Sequence, residues 1–232
     1  MSNVVITASG GVDSSTLCYL LRYSGDLHIL TFDYGQRHRK EIECAKKIAS
    51  NLKARHDIID LRSVGALLGG SALTDNIEVP DGHYAEDVMK VTVVPNRNAI
   101  MLAVAFGVAV AEGAELVAIG VHAGDHFIYP DCRPDFVKAF DTMERLAVKG
   151  FGHINLHIFA PFLNMTKADI VRKGVHLGVP YGDTWSCYKG REVACGRCGT
   201  CCERLEAFAM AGFEDPIEYA DREYWKEQVR LK

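Results

Sequence analysis

The sequence contains no apolar run long enough to cross a bilayer. Its longest charge-free apolar stretch, residues 99–111, is shorter than the roughly 20 residues that a transmembrane helix needs, and it is typical of a buried helix. The first residues carry no basic segment followed by an apolar run, so we expect no export signal. These absences favour a cytoplasmic protein that does not act at a membrane.

A strong excess of basic residues is also missing. Lys plus Arg number 26 against 30 Asp plus Glu, which gives a formal net charge of −4 at pH 7. Proteins that coat nucleic acid usually carry a clear positive excess, so we expect no direct nucleic-acid partner. With 48% apolar and 24% charged residues among 232, the composition excludes disordered and fibrous classes.

Short β-branched runs alternate with amphipathic runs along the first two thirds of the chain. The runs that predict strands are residues 4–7, 27–32, 55–61, 115–121 and 155–159. The runs that predict helices are residues 14–23, 40–52, 98–112, 134–149 and 167–177. This order predicts an α/β fold with an open, doubly wound parallel sheet, Rossmann-like, whose Val, Ile and Leu content indicates strands buried on both faces.

Two segments depart from this alternation. Residues 69–91 are polar and long for a connection inside a compact domain, which is typical of a functional lid or a linker. After residue 180 the chain becomes rich in cysteine, then predicts a helix over 204–210 and a charged tail. We therefore divide it into an α/β domain, 1–180, and a metal-binding C-terminal appendage, 181–232.

The first predicted strand runs into a glycine-rich turn and then into a helix. The turn reads Ser-Gly-Gly-Val-Asp-Ser-Ser over residues 9–15. Two glycines let the backbone approach a ligand, Ser14 and Ser15 are candidate helix caps, and the free N–H groups of the helix start favour an anion there. The lysine of a Walker A motif is missing. A capped turn without a ligand is the alternative, and Asp13 could hold Mg²⁺ or cap the helix.

Eight cysteines are present, and five of them fall within residues 187–202. In a chain without an export signal this crowding favours reduced thiols around a metal ion over disulfides. The candidate ligands are Cys187, Cys195, Cys198 and Cys201, whose spacing suits a closed, structural zinc shell. An iron–sulfur cluster is the alternative. Cys202 directly follows Cys201, and we expect it to face elsewhere.

The turn is similar to the pyrophosphate loop of the N-type ATP pyrophosphatases. The whole chain resembles the QueC family of queuosine biosynthesis, the 7-cyano-7-deazaguanine synthases, because three further motifs accompany the turn and the cysteines: TFDYGQRH at 31–38, VPNRN at 94–98 and YPDCR at 129–133. The resemblance implies that ATP adenylates the carboxylate of 7-carboxy-7-deazaguanine, that ammonia then forms an amide, and that a second activation dehydrates the amide to a nitrile. It implies a homodimeric carbon–nitrogen ligase with small-molecule substrates, MgATP as co-substrate and one structural zinc per chain.

Three groups of site residues follow from the turn and from the resemblance. The expected ATP site comprises Ala8, Ser9, Gly10, Gly11, Val12, Asp13, Ser14, Ser15, Thr16, Asp33 and Tyr34. Candidate catalytic residues are Asp13, Ser14 and Arg97, whose guanidinium could hold a phosphate or the substrate carboxylate. Candidate contacts for the deazaguanine are Asp125, Asp131 and Arg133. We expect packing or ordinary surface roles for Cys132, His122, His126, His153 and His157.

Two other functions remain open at the level of sequence. A tRNA sulfurtransferase built on the same loop would use its cysteines to carry sulfur or a cluster, and the purified protein would be brown rather than colourless. A zinc-ribbon binding module on an inert α/β body would release no pyrophosphate with any carboxylate substrate.

Overall fold

The computed structural model describes residues 2–83 and 87–230. Five strands form one sheet: β1 (Ser2–Thr7), β2 (Gly25–Asp33), β3 (Arg55–Asp60), β4 (Leu116–Ala118) and β5 (His157–Phe159). Their order across the sheet is β3-β2-β1-β4-β5, and every neighbouring pair is parallel. The predicted open α/β sheet is therefore confirmed.

The described part of the chain contains eight α-helices. They are α1 (Val12–Leu21), α2 (Lys40–Leu52), α3 (Arg62–Gly65), α4 (Arg97–Glu112), α5 (Pro134–Ala147), α6 (Lys167–Leu177), α7 (Gly199–Ala211) and α8 (Tyr224–Arg230). The predicted bounds of α2 and α6 are confirmed. The prediction of 204–210 was too short for α7, because the helix starts directly after its N-cap residue, Cys198. No bounds were predicted for α3 or for α8, since each is too short for a clear periodic signal.

The sheet separates two hydrophobic cores, because successive side chains of a strand point to opposite faces. Val4 and Ile6 of β1 pack in a core with α1, α6 and α7, whereas Val5 packs with α4 and α5 on the other face. Burial on both faces is confirmed for β2 but is wrong for β3, where Ile58 is 42% exposed. The reason is the strand order, which places β3 at an edge.

Residues 69–83 do not form an open lid. Ala72 and Val79 are buried in a third core together with the clustered cysteines, and Asp81 forms an isolated antiparallel bridge with Cys198. This part of the predicted lid or linker is therefore packed over the cysteine-rich segment. Residues 84–86 of the same prediction lie outside the described residues.

The C-terminal part shares its packing with the α/β body. Ala207 and Phe208 of α7 are buried in the same hydrophobic core as Leu17 of α1 and Ile170 of α6. The division of the chain at residue 180 stays a prediction.

One stretch, Met89–Glu112, is long and apolar enough to cross a membrane by length and composition alone. It joins a 3₁₀ turn to α4. Phe106 and Ala109 of α4 are completely buried in the core that covers one face of the sheet. A core helix of a soluble protein passes the same test, so this feature is weak evidence for a membrane span.

Candidate active site

The carboxyl ends of β1 and β4 open onto a cleft with about 1130 Å³ of empty space, part of it open to solvent. Ligands of open α/β sheets bind where the strand order reverses, and in this sheet that point lies between β1 and β4. Most of the expected site residues line the cleft: Ala8, Ser9, Gly11, Val12, Asp13, Ser14, Tyr34, Arg97 and Asp125. The turn after β1 therefore forms one wall of a ligand-sized space.

Gly10 lets this turn pack against the first turn of α2. Its φ is +86°, a conformation that residues with a side chain rarely adopt. A Cβ at Gly10 would lie 2.5 Å from the Ala45 nitrogen and closer still to the Glu41 carbonyl oxygen. The Gly10 carbonyl also accepts the N–H of Trp185 at 3.0 Å. The turn is thus fixed from two sides by backbone.

The expectation that a serine or Asp13 caps α1 was wrong. The N-cap is Gly11, in an extended conformation and with no side-chain hydrogen bond to the helix start. The hydroxyl of Ser14 instead accepts the N–H of Ser9 at 3.3 Å. Because the first N–H groups of a helix have no acceptor within it, those of α1 are left for a ligand in the cleft.

Three expected ATP-site residues, Gly10, Ser15 and Thr16, do not line the cleft. Ser15 and Thr16 are completely buried. The hydroxyl of Thr16 donates to the Val12 carbonyl and lies 2.8 Å from the hydroxyl of Tyr181. Their side chains therefore pack on the buried side of α1, away from the cleft.

Asp33, Asp131 and Arg133 also lie outside the cleft lining. A guanidinium nitrogen of Arg39 donates to Asp33 at 2.7 Å. Asp131 accepts the backbone N–H of Asn98 at 3.0 Å, in the first turn of α4. Arg133 is exposed at the surface. Asp33 and Asp131 can therefore affect ligand binding only indirectly, through the parts of the chain that they fix by these hydrogen bonds.

Lys167, which the sequence analysis missed, lies at the centre of the charged end of the cleft. Its Nζ lies 2.9 Å from Asp13 and 2.9 Å from Glu203, and 3.3 Å from Nε2 of His122. Lys167 is the first residue of α6, where the helix dipole disfavours a cation. A lysine at the first position of a predicted helix is therefore the sequence feature that could have pointed to Lys167 as a site residue.

The pKa values of Lys167, Asp13 and Glu203 are shifted in different ways by burial and by their neighbours. Burial by itself lowers the pKa of Lys167, but the carboxylates of Asp13 and Glu203 outweigh it and raise the pKa above its ordinary value. Burial raises the pKa of Asp13, yet Lys167 and His122 reverse this and hold the pKa low. For Glu203 burial prevails and its pKa is raised. One ammonium group therefore compensates Asp13 more fully than Glu203.

His122 is a core residue, as expected, but it belongs to this charged cluster. Its Nδ1 accepts the N–H of Gly124 at 3.0 Å, so the ring proton lies on Nε2. That nitrogen is within 3.8 Å of carboxylate oxygens of Asp13, Asp125 and Glu203. The imidazole therefore adds a donor behind the cleft wall.

Arg97 occupies the opposite side of the cleft, among aromatic rings. Its guanidinium donates to the Tyr34 hydroxyl at 3.4 Å and lies 5.7 Å from the ring centre of Tyr129. Burial, partly offset by Arg97, raises the pKa of Tyr34 to about 12. No carboxylate in 2–83 or 87–230 forms an ion pair with Arg97. A charged donor surrounded by aromatic faces suits a planar anion.

Cys132 lines the cleft beside this group. Its sulfur accepts the side-chain N–H of Asn98 at 3.2 Å. Burial raises the pKa of the Cys132 thiol, which keeps it neutral and a weak nucleophile.

The four cysteines that we expected to bind a metal converge. Their sulfurs all lie within 4.8 Å of one another and all four residues are buried: Cys187, Cys195, Cys198 and Cys201. The Cys195 and Cys201 sulfurs are 3.9 Å apart, close to the edge of about 3.8 Å that a tetrahedron with 2.3 Å bonds to zinc would have. The donor set therefore fits one four-coordinate ion.

Two further observations support this grouping. The backbone N–H groups of Arg197 and Cys198 donate to the Cys195 sulfur at 3.4 and 3.2 Å, which stabilises a thiolate. As expected, Cys202 lies apart, with its sulfur 3.5 Å from the Arg197 carbonyl. None of the eight cysteines forms a disulfide.

The cysteine segment also supplies walls of the cleft, which the sequence did not reveal. Trp185 and Tyr188 flank Cys187, Glu203 follows Cys201 by two positions, and all three side chains line the cleft. No local pattern marks them, because their role depends on how the segment folds back onto β1.

Comparisons with known proteins agree with the site. A family model described as queuosine biosynthesis protein QueC matches residues 3–212. The chain is 55% identical over 226 residues to a 7-cyano-7-deazaguanine synthase of Ruegeria sp., covering 97% of this chain and 96% of that protein. It is 56% identical over 229 residues to one of Brucella anthropi, covering 98% of both.

Among solved structures, NMN synthetase from Francisella tularensis is similar in fold. The TM-score is 0.52 at 15% identity, and the match covers 98% of this chain and 85% of that one. At this identity the likeness concerns the fold alone.

Proposed function

Since the chain belongs to the QueC family of queuosine biosynthesis proteins, we propose that it converts 7-carboxy-7-deazaguanine and ammonia to 7-cyano-7-deazaguanine at the expense of ATP. The observation that carries this proposal is the identity of 55% along nearly the full length of a 7-cyano-7-deazaguanine synthase. A carbon–nitrogen ligase of this kind needs a phosphate cradle, an anion site for the substrate and room for both. The cleft offers all three.

The turn after β1 is the proposed phosphate cradle. The free N–H groups at the start of α1, with the positive end of its dipole, would hold the triphosphate. As the adenylate forms, negative charge grows on the departing pyrophosphate, and donors that are already oriented stabilise it without rearranging. Gly10 and Gly11 bring the backbone close, and the Ser14 hydroxyl adds a side-chain contact.

The charged end of the cleft would hold the cation that accompanies ATP. Asp13 and Glu203 both contact Lys167, so two carboxylates share a single ammonium group. Carboxylate oxygens are ligands that Mg²⁺ prefers, and Asp13 is the one nearest the turn. When bound, Mg²⁺ would offset phosphate charge, while Lys167 would keep the remaining carboxylates compensated.

The planar substrate would lie against the tyrosines, with its carboxylate on Arg97. Asp125 lines the same cleft, and its carboxylate could accept a hydrogen bond from the amino group of the deazaguanine. Asp131 would act indirectly, because it fixes the first turn of α4 from which Arg97 extends.

Replacing Arg97 by methionine is expected to raise the KM for the carboxylated base roughly 10- to 100-fold, because a charged hydrogen-bond pair would be lost. The KM for ATP should change little. Steady-state kinetics with each substrate varied in turn measures both. Arg145→Met, at an arginine whose side chain is 56% exposed on α5, is the matched control. A selective rise in the KM for ATP would instead assign Arg97 to a phosphate.

Zinc is the metal that we propose for the four cysteines, with a structural role. All four positions of a tetrahedral shell would be filled by thiolates, so no position stays open for a reactant. A four-iron cluster binds each cysteine to a different iron and needs the sulfurs to lie wider apart. A brown protein with bound iron would contradict this assignment and favour the sulfurtransferase.

The proposed function is tested by incubating the protein with ATP, ammonium and 7-carboxy-7-deazaguanine. We expect AMP, pyrophosphate and a nitrile-containing base, with product formation dependent on all three reactants. Formation of ADP and orthophosphate, or nucleotide turnover that ignores the carboxylated base, would contradict it.

We further propose a cytoplasmic homodimer. Large apolar side chains at the end of α5 and in the segment after it are exposed: Leu146 by 67%, Phe151 by 85% and Ile154 by 88%. Such a patch is typical of a contact between protein chains, and a second copy of this chain is the partner that we propose.

A further inference from the structure

His38 is the only histidine among the described residues that line the cleft. It lies between β2 and α2, and its side chain is 3% exposed. Nε2 lies 3.4 Å from a carboxylate oxygen of Glu41. Nδ1 is buried and has no hydrogen-bond partner in the part of the chain that the structure describes.

This geometry prepares one ring nitrogen to accept a proton. A neutral imidazole carries one N–H and one lone pair, and Glu41 favours the N–H on Nε2. The lone pair is then on Nδ1, the nitrogen without a partner. Glu41 is itself held by the side-chain N–H of Gln36 at 3.0 Å, and the ring of Tyr188 lies 5.0 Å from that of His38. The imidazole is therefore fixed on two sides.

The position of His38 connects the two halves of the cleft. Glu41 belongs to the first turn of α2, which packs directly on Gly10 of the phosphate turn. Tyr188 and Tyr129 both line the cleft, and the ring of Tyr129 faces the Arg97 guanidinium. His38 thus lines the wall between the proposed phosphate cradle and the proposed carboxylate site.

The reaction of the proposed function releases protons at two stages: amide formation releases one, from the attacking ammonia, and nitrile formation releases two, from the amide nitrogen. Adenylation of a carboxylate releases no proton, because the attacking oxygen carries none. In the second activation the amide oxygen attacks the α-phosphorus, pyrophosphate leaves, and the nitrogen loses one proton. The second N–H bond then breaks, its electron pair becomes the third C–N bond, and the C–O bond breaks as AMP leaves with that electron pair.

Other groups in the cleft are less suited to take these protons. Asp13 and Glu203 share the Lys167 ammonium group. His122 is not among the lining residues, and its Nδ1 already accepts a hydrogen bond. We propose that Nδ1 of His38, oriented by Glu41, accepts an N–H proton of the amide during nitrile formation. This inference rests on the proposed function and adds a base to it.

The test separates adenylation from dehydration in the metal-loaded protein. His38→Gln is assayed in two ways: by exchange of labelled pyrophosphate into ATP with the carboxylated base, and by nitrile formation from the amide and ATP. General-base catalysis is typically worth 10²- to 10⁴-fold. We expect nitrile formation to fall at least about 100-fold, exchange to stay within about threefold of wild type, and the amide to accumulate when the reaction starts from the carboxylate.

Two more variants make the outcome interpretable. Glu41→Gln keeps an oxygen for Gln36 but removes the charge, and should show the same selective loss to a smaller degree. His153→Gln, at a histidine outside the cleft lining, should leave both activities unchanged. If exchange and nitrile formation fell together in both cleft variants, or if nitrile formation were unaffected, the inference would be overturned. Absence of exchange in the wild type would refute the proposed function itself.

Discussion

Changing Gly10 to alanine is expected to abolish ATP binding and to lower the melting temperature by roughly 10 °C. The new Cβ would meet the backbone of α2 at Ala45 and Glu41, which can move aside only if the helix shifts. Overpacking of this kind costs about 1–3 kcal/mol, and a side chain at positive φ adds about 1 kcal/mol. For a chain of this size each kcal/mol corresponds to about 2–4 °C.

Gly212→Ala provides the matched control. Gly212 has a φ of +84°, close to that of Gly10, yet a Cβ there would meet nothing within 4 Å. It should therefore show only the conformational penalty, a loss of about 1 kcal/mol, and should bind ATP normally. Thermal melting and equilibrium ATP binding measure the two variants. If both lost ATP affinity equally, or neither did, close packing of the turn would not be what shapes the phosphate site.

Replacing Cys198 by serine is expected to release the metal and destabilise the protein, with a fall in melting temperature of roughly 10 °C or more. A structural metal site contributes its binding free energy to folding, and a serine hydroxyl is a poor substitute for a thiolate. Glu203 follows Cys201 by two residues on α7. Release of the metal should therefore loosen Glu203 in the cleft as well, and activity should fall with stability.

Cys202→Ser is the control that distinguishes loss of the metal from loss of a buried sulfur. Cys202 is as buried as Cys198, but its sulfur faces a backbone carbonyl outside the group of four. We expect the full metal content and a loss of about 1 kcal/mol. Metal analysis of the purified proteins, together with melting curves, decides the matter. Metal retained by Cys198→Ser, or lost by Cys202→Ser, would show that the ligand set is wrong.

Features encoded by neighbouring residues could be predicted from the sequence. The alternation of strands and helices follows from side-chain periodicity, which is local, and α2 and α6 begin and end where it places them. The glycine turn and the four cysteines were found for the same reason, because a turn and a metal shell need particular residue types at short spacing. Capping of α1 was mispredicted, since serine and glycine both suit an N-cap position.

The assembly of the cleft was decided only by the tertiary structure. Lys167 reaches Asp13 across a separation of 154 residues, and His38 meets Tyr188 of the cysteine segment. Periodicity records which face of its own element a side chain takes, but not which other element that face will meet. That depends on the strand order β3-β2-β1-β4-β5 and on α7 folding back beside α6. The sequence by itself determined the parts of the site, and packing between distant segments determined how their charges pair.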